Sequence, residues 1–145
     1  LGRASLAPRE GGGLGVKITL DAPEFQDEFL SMRPFRCLTA HKEMWCHLPY
    51  PYETRGTISN SDLVDLEYAL LFLFKPPTAY GIDAWNGLYF KLAVEPDGAI
   101  AGAAHEVDLD VLATPPADRK ARTIAPADLT PVAPTAHAFT RVEIR

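Results

Sequence analysis

One run, Ser61 to Phe74 (SDLVDLEYALLFLF), constrains this chain more than any other, because nowhere else do apolar side chains dominate for several turns. It belongs at the centre of the core. Leu63, Leu66 and Leu70 fall at helical spacing with Asp62 and Asp65 turned elsewhere, and Ser59 or Ser61 is placed to accept the first free backbone N–H groups. The second half, Leu70 to Phe74, is apolar on every side, so its period does not separate a last buried helical turn from a short strand covered on both faces. Continued helix is the expectation, and Lys75-Pro76-Pro77 ends the element either way because proline has no N–H to donate.

Around this element the chain alternates in strands. Val16, Ile18 and Leu20 alternate with Lys17 and Thr19, and Leu88, Phe90, Leu92 and Val94 alternate with Tyr89, Lys91 and Ala93. Glu95-Pro96-Asp97-Gly98 then supplies proline's preset φ and glycine's tolerance of positive φ, which predicts a hairpin from Gly87 to Ala104. Glu24 to Met32 reads as a short helical turn stopped by Pro34, with Phe25, Phe29 and Leu30 roughly together. Val107, Leu109 and Val111 alternate with Glu106, Asp108 and Asp110, which predicts a strand with an acidic outer face; a solvated face is favoured over a calcium site there. Thr114 to His137, rich in proline and alanine, predicts an extended surface course with a helical hint at Pro126 to Leu129, and Phe139 to Ile144 a last strand. Leu1 to Gly15 mixes small residues, glycine and isolated charges without a period, the composition of a disordered tail. The resulting expectation is an α+β fold. Residues 16–145 form a single domain in which an antiparallel sheet packs against one main helix from Asp62 to Phe74, with Pro-rich loops and a disordered tail at residues 1–15.

Cys37 and Cys46 are the two cysteines, set in strand-like runs on either side of a polar turn. A turn centred on His41 and Lys42, or a loop from Ala40 to Glu43, puts them opposite each other as a non-hydrogen-bonded pair, near enough for a disulfide. Two buried thiols, or a metal site using Cys37, His41, Cys46 and His47, are the alternatives; the C-x3-H-x4-C-H spacing is not a familiar zinc pattern. The disulfide reading implies a periplasmic or secreted protein.

A net charge of −5 argues against a general nucleic-acid or anionic-membrane surface, and no run of 18 apolar residues is present to span a bilayer. The chain carries no phosphate-cradling glycine loop, no His-Glu-x-x-His and no G-x-S-x-G, and no cofactor is implied. Two functional expectations remain. In the first, a binding or accessory module presents Tyr50, Tyr52, Tyr80, Asp83 and Trp85 on loops to a peptide, protein or sugar, because rings on stiff loops give contact area at low entropy cost. In the second, a small hydrolase or lyase draws on His47, Arg55, Glu67 and Asp83.

Overall fold

The computed structural model describes residues 2–21, 24–30, 33–40 and 42–145. It is mostly β. Ten strands and one short α-helix are present among the described residues, and every pairing is antiparallel. Two strands, β1 (Gly2–Pro8) and β2 (Leu14–Leu20), form a hairpin of their own. The main sheet begins with β3 (Phe25–Leu30), β4 (Arg33–Ala40) and β5 (Glu43–His47), continues through β6 (Phe72–Lys75), β7 (Gly87–Val94) and β8 (Ile100–Val107), and is completed by β9 (Thr130–Pro131) and β10 (Arg141–Ile144). From β3 to β8 each strand pairs with the next in sequence, while β9 and β10 both return to the outer edge of β8.

The α+β expectation is therefore corrected. The helix, α1 (Val64–Ala69), is only six residues long, and the apolar run ends as strand β6 rather than a further turn. Burial explains the switch: Phe72 faces one core and Leu73 the other, so a strand sandwiched between two covered faces has no polar side to reveal its period. Lys75, itself buried, closes β6 by donating from Nζ to the carbonyl oxygens of Pro76 (3.1 Å) and Ala79 (2.6 Å). Leu66 is wholly buried and Leu70 nearly so, which puts the element at the core as its composition implies.

Three further expectations give way. Residues 1–15 were expected to be disordered, yet β1 pairs with β2 from Gly2↔Leu20 to Pro8↔Leu14, and the glycines at 11, 12 and 13, all at positive φ, make its turn. The boundary at residue 15 thus falls inside a strand. Glu24 to Met32 holds strand β3 instead of a helical turn, with Ser31 and Met32 outside the described residues. The acidic segment stops being a strand at Val107, and Leu109–Leu112 form a 3-10 turn whose Asp110 N–H donates to the Asp108 carboxylate.

The Gly87 to Ala104 hairpin is present as expected. Gly98 sits at φ 87° in its turn, and Gly102 lets the neighbouring strand approach so closely that a Cβ there would lie 2.0 Å from the Lys91 carbonyl oxygen.

The sheet's two faces are both covered. On one lie Phe25, Trp45, Phe72, Leu88, Phe90, Leu92 and Ile100, roofed by Val16, Ile18 and Leu20 of β2. On the other lie Cys37, Cys46, Leu73, Tyr89 and Val107, covered by Leu109 and Leu112 of the 3-10 turn and Ile124 of the Pro-rich segment. The connection between β4 and β5 is the tight form, since Ala40 pairs with Glu43, and Lys42 carries φ 67°; His41 is outside the described residues. Cys37 and Cys46 are paired across it and joined, with Cα atoms 4.0 Å apart. Their sulfurs are spent on each other, which removes the free-thiol and metal alternatives.

Candidate functional site

The main sheet runs from β10 to β3 through seven hydrogen-bonded strands, these two included, and at about 4.8 Å for each of the six spacings a flat sheet would hold its ends about 29 Å apart. Yet Phe25 of β3 and Val142 of β10 line one cavity of about 560 Å3. The sheet is therefore not flat but bends around this space, with the β1–β2 hairpin lodged over it. Leu38, Trp45, Phe72 and Phe90 floor the cavity, Ile18 and Leu20 roof it, and Leu70 and Phe139 close its sides.

Strand alternation decides its chemistry. On β10 Val142 and Ile144 are half-buried while Arg141 and Glu143 are exposed, and on the hairpin Ile18 and Leu20 are half-buried while Lys17 and Thr19 are exposed. The interior is thus apolar and the charges sit on the rim. The one polar atom of its ring set, Trp45 Nε1, is already committed to Glu43 Oε2 at 2.7 Å. That carboxylate also accepts from the Ala138 N–H at 2.8 Å and meets His137 Nδ1 at 2.7 Å, and His137 Nε2 meets Glu106 Oε1 at 2.7 Å. The clasp ties the segment before β10 across the sheet and seats Phe139 edge-on against Trp45, ring centroids 5.5 Å apart.

A second cleft, about 770 Å3, lies between α1, β7 and the Pro-rich segment, with Glu67 beneath it. Glu67 is 1% exposed and fully engaged: Oε1 accepts from the Leu92 N–H (2.9 Å) and Lys91 Nζ (3.3 Å), and Oε2 from the Tyr89 hydroxyl. β6 pairs with β7 only at Leu88 and Gly87, so the carboxylate of α1 takes over the β7 edge where β6 leaves it. Burial, and then the bond to Glu67, pushes the Tyr89 phenol far up, so it stays a neutral donor. At the cleft mouth Arg122 Nη2 lies 2.5 Å from Asp62 Oδ2, and this bond holds the Asp62 carboxyl below its usual range. Every one of these charges has a partner, the condition of a structural network rather than a poised catalyst.

The residues singled out from the sequence are dispersed. Tyr50 and Tyr52 are half-buried against the second core, Tyr50 packed at a tilt against Tyr68 with centroids 4.5 Å apart and sharing a 2.9 Å hydrogen bond with Thr123, Tyr52 donating to the Leu112 carbonyl. Tyr80 is 99% and Trp85 58% exposed on the loop after β6, and Asp83 is exposed beside them. The two loops meet the same turn, since the Leu109 N–H donates to Ala84 O and Tyr52 to Leu112 O, but only the second loop presents its rings to solvent.

The enzyme set is not assembled. His47 Nε2 donates to Ala69 O at 2.9 Å beside the Phe72 ring, and burial lowers its pKa; Glu67 points to β7; Arg55 and Asp83 are exposed. None of the four bonds to another among the described residues. Sequence reasoning missed the cavity, the clasp and the Glu67 network. Strand alternation marks Phe72 and Phe90 as residues of the covered face, but no local signal marks the bend of the sheet that shapes the cavity. No protein-family model, curated protein or solved structure matches the chain, so the site stands on this geometry.

Proposed function

We propose that the protein is a binding module for a small apolar ligand, held against the bent sheet beneath the β1–β2 hairpin. The observation that carries this is the size of the cavity set against its lining. The cavity, about 560 Å3, opens to solvent at its charged rim, and along its inner wall water finds few hydrogen-bond partners among leucine, isoleucine and phenylalanine side chains. An apolar occupant would displace that poorly bonded water, and the volume is that of common small-molecule sites, about 300–1,000 Å3. The Cys37–Cys46 disulfide fits work in a periplasm or outside the cell, where such bonds persist. No helix of the described residues is long and apolar enough to cross a membrane.

The test is a titration with the neutral dye N-phenyl-1-naphthylamine, whose emission rises in apolar surroundings. Saturable enhancement is expected, and Leu20→Trp, which fills the roof, should abolish it while the circular dichroism spectrum is kept. No enhancement, or enhancement indifferent to the filling substitution, would overturn the reading.

A second reading rests on the exposure of Tyr80 and Trp85: a contact shelf for a peptide, protein or sugar, smaller than the four-ring surface expected from the sequence. Quenching of Trp85 emission by a partner, lost in Trp85→Phe, would support it.

A further inference from the structure

The cavity's rim narrows the class of its ligand. Resting on the apolar-cavity reading, we infer that the natural occupant is a single-chain amphiphile with an anionic head group, its tail among the rings and its head at the hairpin end of the rim. Three of the chain's nine arginines, Arg3, Arg141 and Arg145, border the cavity with one carboxylate, Glu143, in a protein whose net charge is −5. The local sign is inverted. Arg141 and Arg145 are drawn to acidic neighbours, Arg141 to Glu95 at 3.5 Å, Arg145 to Glu143 and to Asp97 at 3.7 Å. Arg3 has no counter-charge among the described residues. It is therefore the cation free to meet an incoming anion.

Its position fits an entrance. Among the described residues the hairpin is tied to the rest of the backbone by one bridge, Leu14↔Ile58, with reciprocal hydrogen bonds of 2.9 and 2.8 Å. That bridge lies at the turn end. At the opposite end, where Gly2 pairs with Leu20, the cavity is bordered by both strands; β2 continues through residues 21–24 into β3, while β1 on the Arg3 side is paired only with β2. A tail sliding under this end leaves its head beside Arg3, and the absence of an inward-facing charge keeps the head from going deeper.

The experiment is competition against the neutral naphthylamine dye on the whole chain, using dodecanoate, dodecanol, dodecyltrimethylammonium and acetate below micellar concentrations. Dodecanoate should displace the dye about threefold more tightly than dodecanol, with the ammonium weakest and acetate inert at the same concentrations. Shortening the acid should weaken it about fourfold per methylene, the signature of a buried tail. Arg3→Gln should erase the advantage of dodecanoate over dodecanol and leave dodecanol unchanged, a pattern that loss of folding does not produce. Equal affinity for all three twelve-carbon heads, or preference for the ammonium, overturns the anionic class while the cavity reading stands. Acetate binding as tightly as dodecanoate overturns the amphiphile. Failure of the dye and of every twelve-carbon compound overturns both.

Discussion

Replacing Glu67 with alanine should be among the most damaging substitutions in the chain, although it removes a charge from a protein that carries too many of that sign. Glu67 satisfies three donors, and they differ in what they lose. Lys91 is half exposed and turns to water at little cost. The Leu92 N–H and the Tyr89 hydroxyl belong to residues 6% and 3% exposed and have no solvent to turn to. At about 1–3 kcal/mol for each buried donor left unsatisfied, Glu67→Ala should cost about 2–6 kcal/mol. Glu67→Gln keeps a carbonyl for Leu92 and offers an amide to the Tyr89 oxygen, so it should cost about 1 kcal/mol. Urea unfolding followed by circular dichroism resolves the two, and at this chain length each kcal/mol also moves the thermal midpoint by roughly 2–4 °C. Glu67→Ala within about 1 kcal/mol of the parent would refute the reasoning, because the β7 edge would then not depend on the helix. Glutamine as harmful as alanine would mean that the charge matters and the hydrogen bonds do not.

Two further outcomes concern conditions. Burial holds the His47 imidazole below its ordinary value, outweighing its hydrogen bond to Ala69, so the unfolded chain gains a proton first as pH falls. The contribution of His47 is full above about pH 6.5 and is lost progressively below it; the urea midpoint should fall between about pH 7.5 and 5.5, and His47→Gln should flatten the profile, whereas a flat parent profile rejects the assignment. Native protein should yield no free thiol to alkylation, and reduction of Cys37–Cys46, which closes a loop of sequence separation 9, should cost about 2–3 kcal/mol in the same unfolding assay. Ready alkylation without reductant would reject the bond and the oxidising compartment with it.

What could be seen in the sequence was whatever is encoded at short range. The β7–β8 hairpin was legible because alternation on both sides of Glu95-Pro96-Asp97-Gly98 and the turn chemistry point to the same register. Cys37 and Cys46 could be set opposite each other by counting outward from a turn. The α1–β6 junction was not legible, because apolar residues on all sides signal burial on all sides and say nothing of period. β3 misled for another reason: Phe25 and Phe29 share a strand face, yet their separation of four also suits a helix. Gly11, Gly12 and Gly13 sit in a stretch whose composition suits a structureless tail, whereas glycine at positive φ is equally what a hairpin turn needs. The cavity depends on β3 and β10 coming to one place, a relation between residues more than a hundred positions apart that no window of sequence contains.

The order of strands also dictates an order of assembly. Because β3 to β8 pair with their sequence neighbours, the main sheet can zip up strand by strand, most steps closing a short loop and the β5–β6 step a longer one that carries α1. The β1–β2 hairpin can form once its own residues have left the ribosome, but Phe72, Phe90 and the β10 residues that complete its seat follow 50 to 120 residues later. For that interval its apolar side has only Phe25, Leu38 and Trp45 to rest on. At synthesis rates of roughly 5–20 residues per second the interval lasts seconds, far longer than the microseconds in which hairpins form. The nascent chain thus carries a finished but half-seated lid, and the four-residue strand β10 is what completes the wall beneath it.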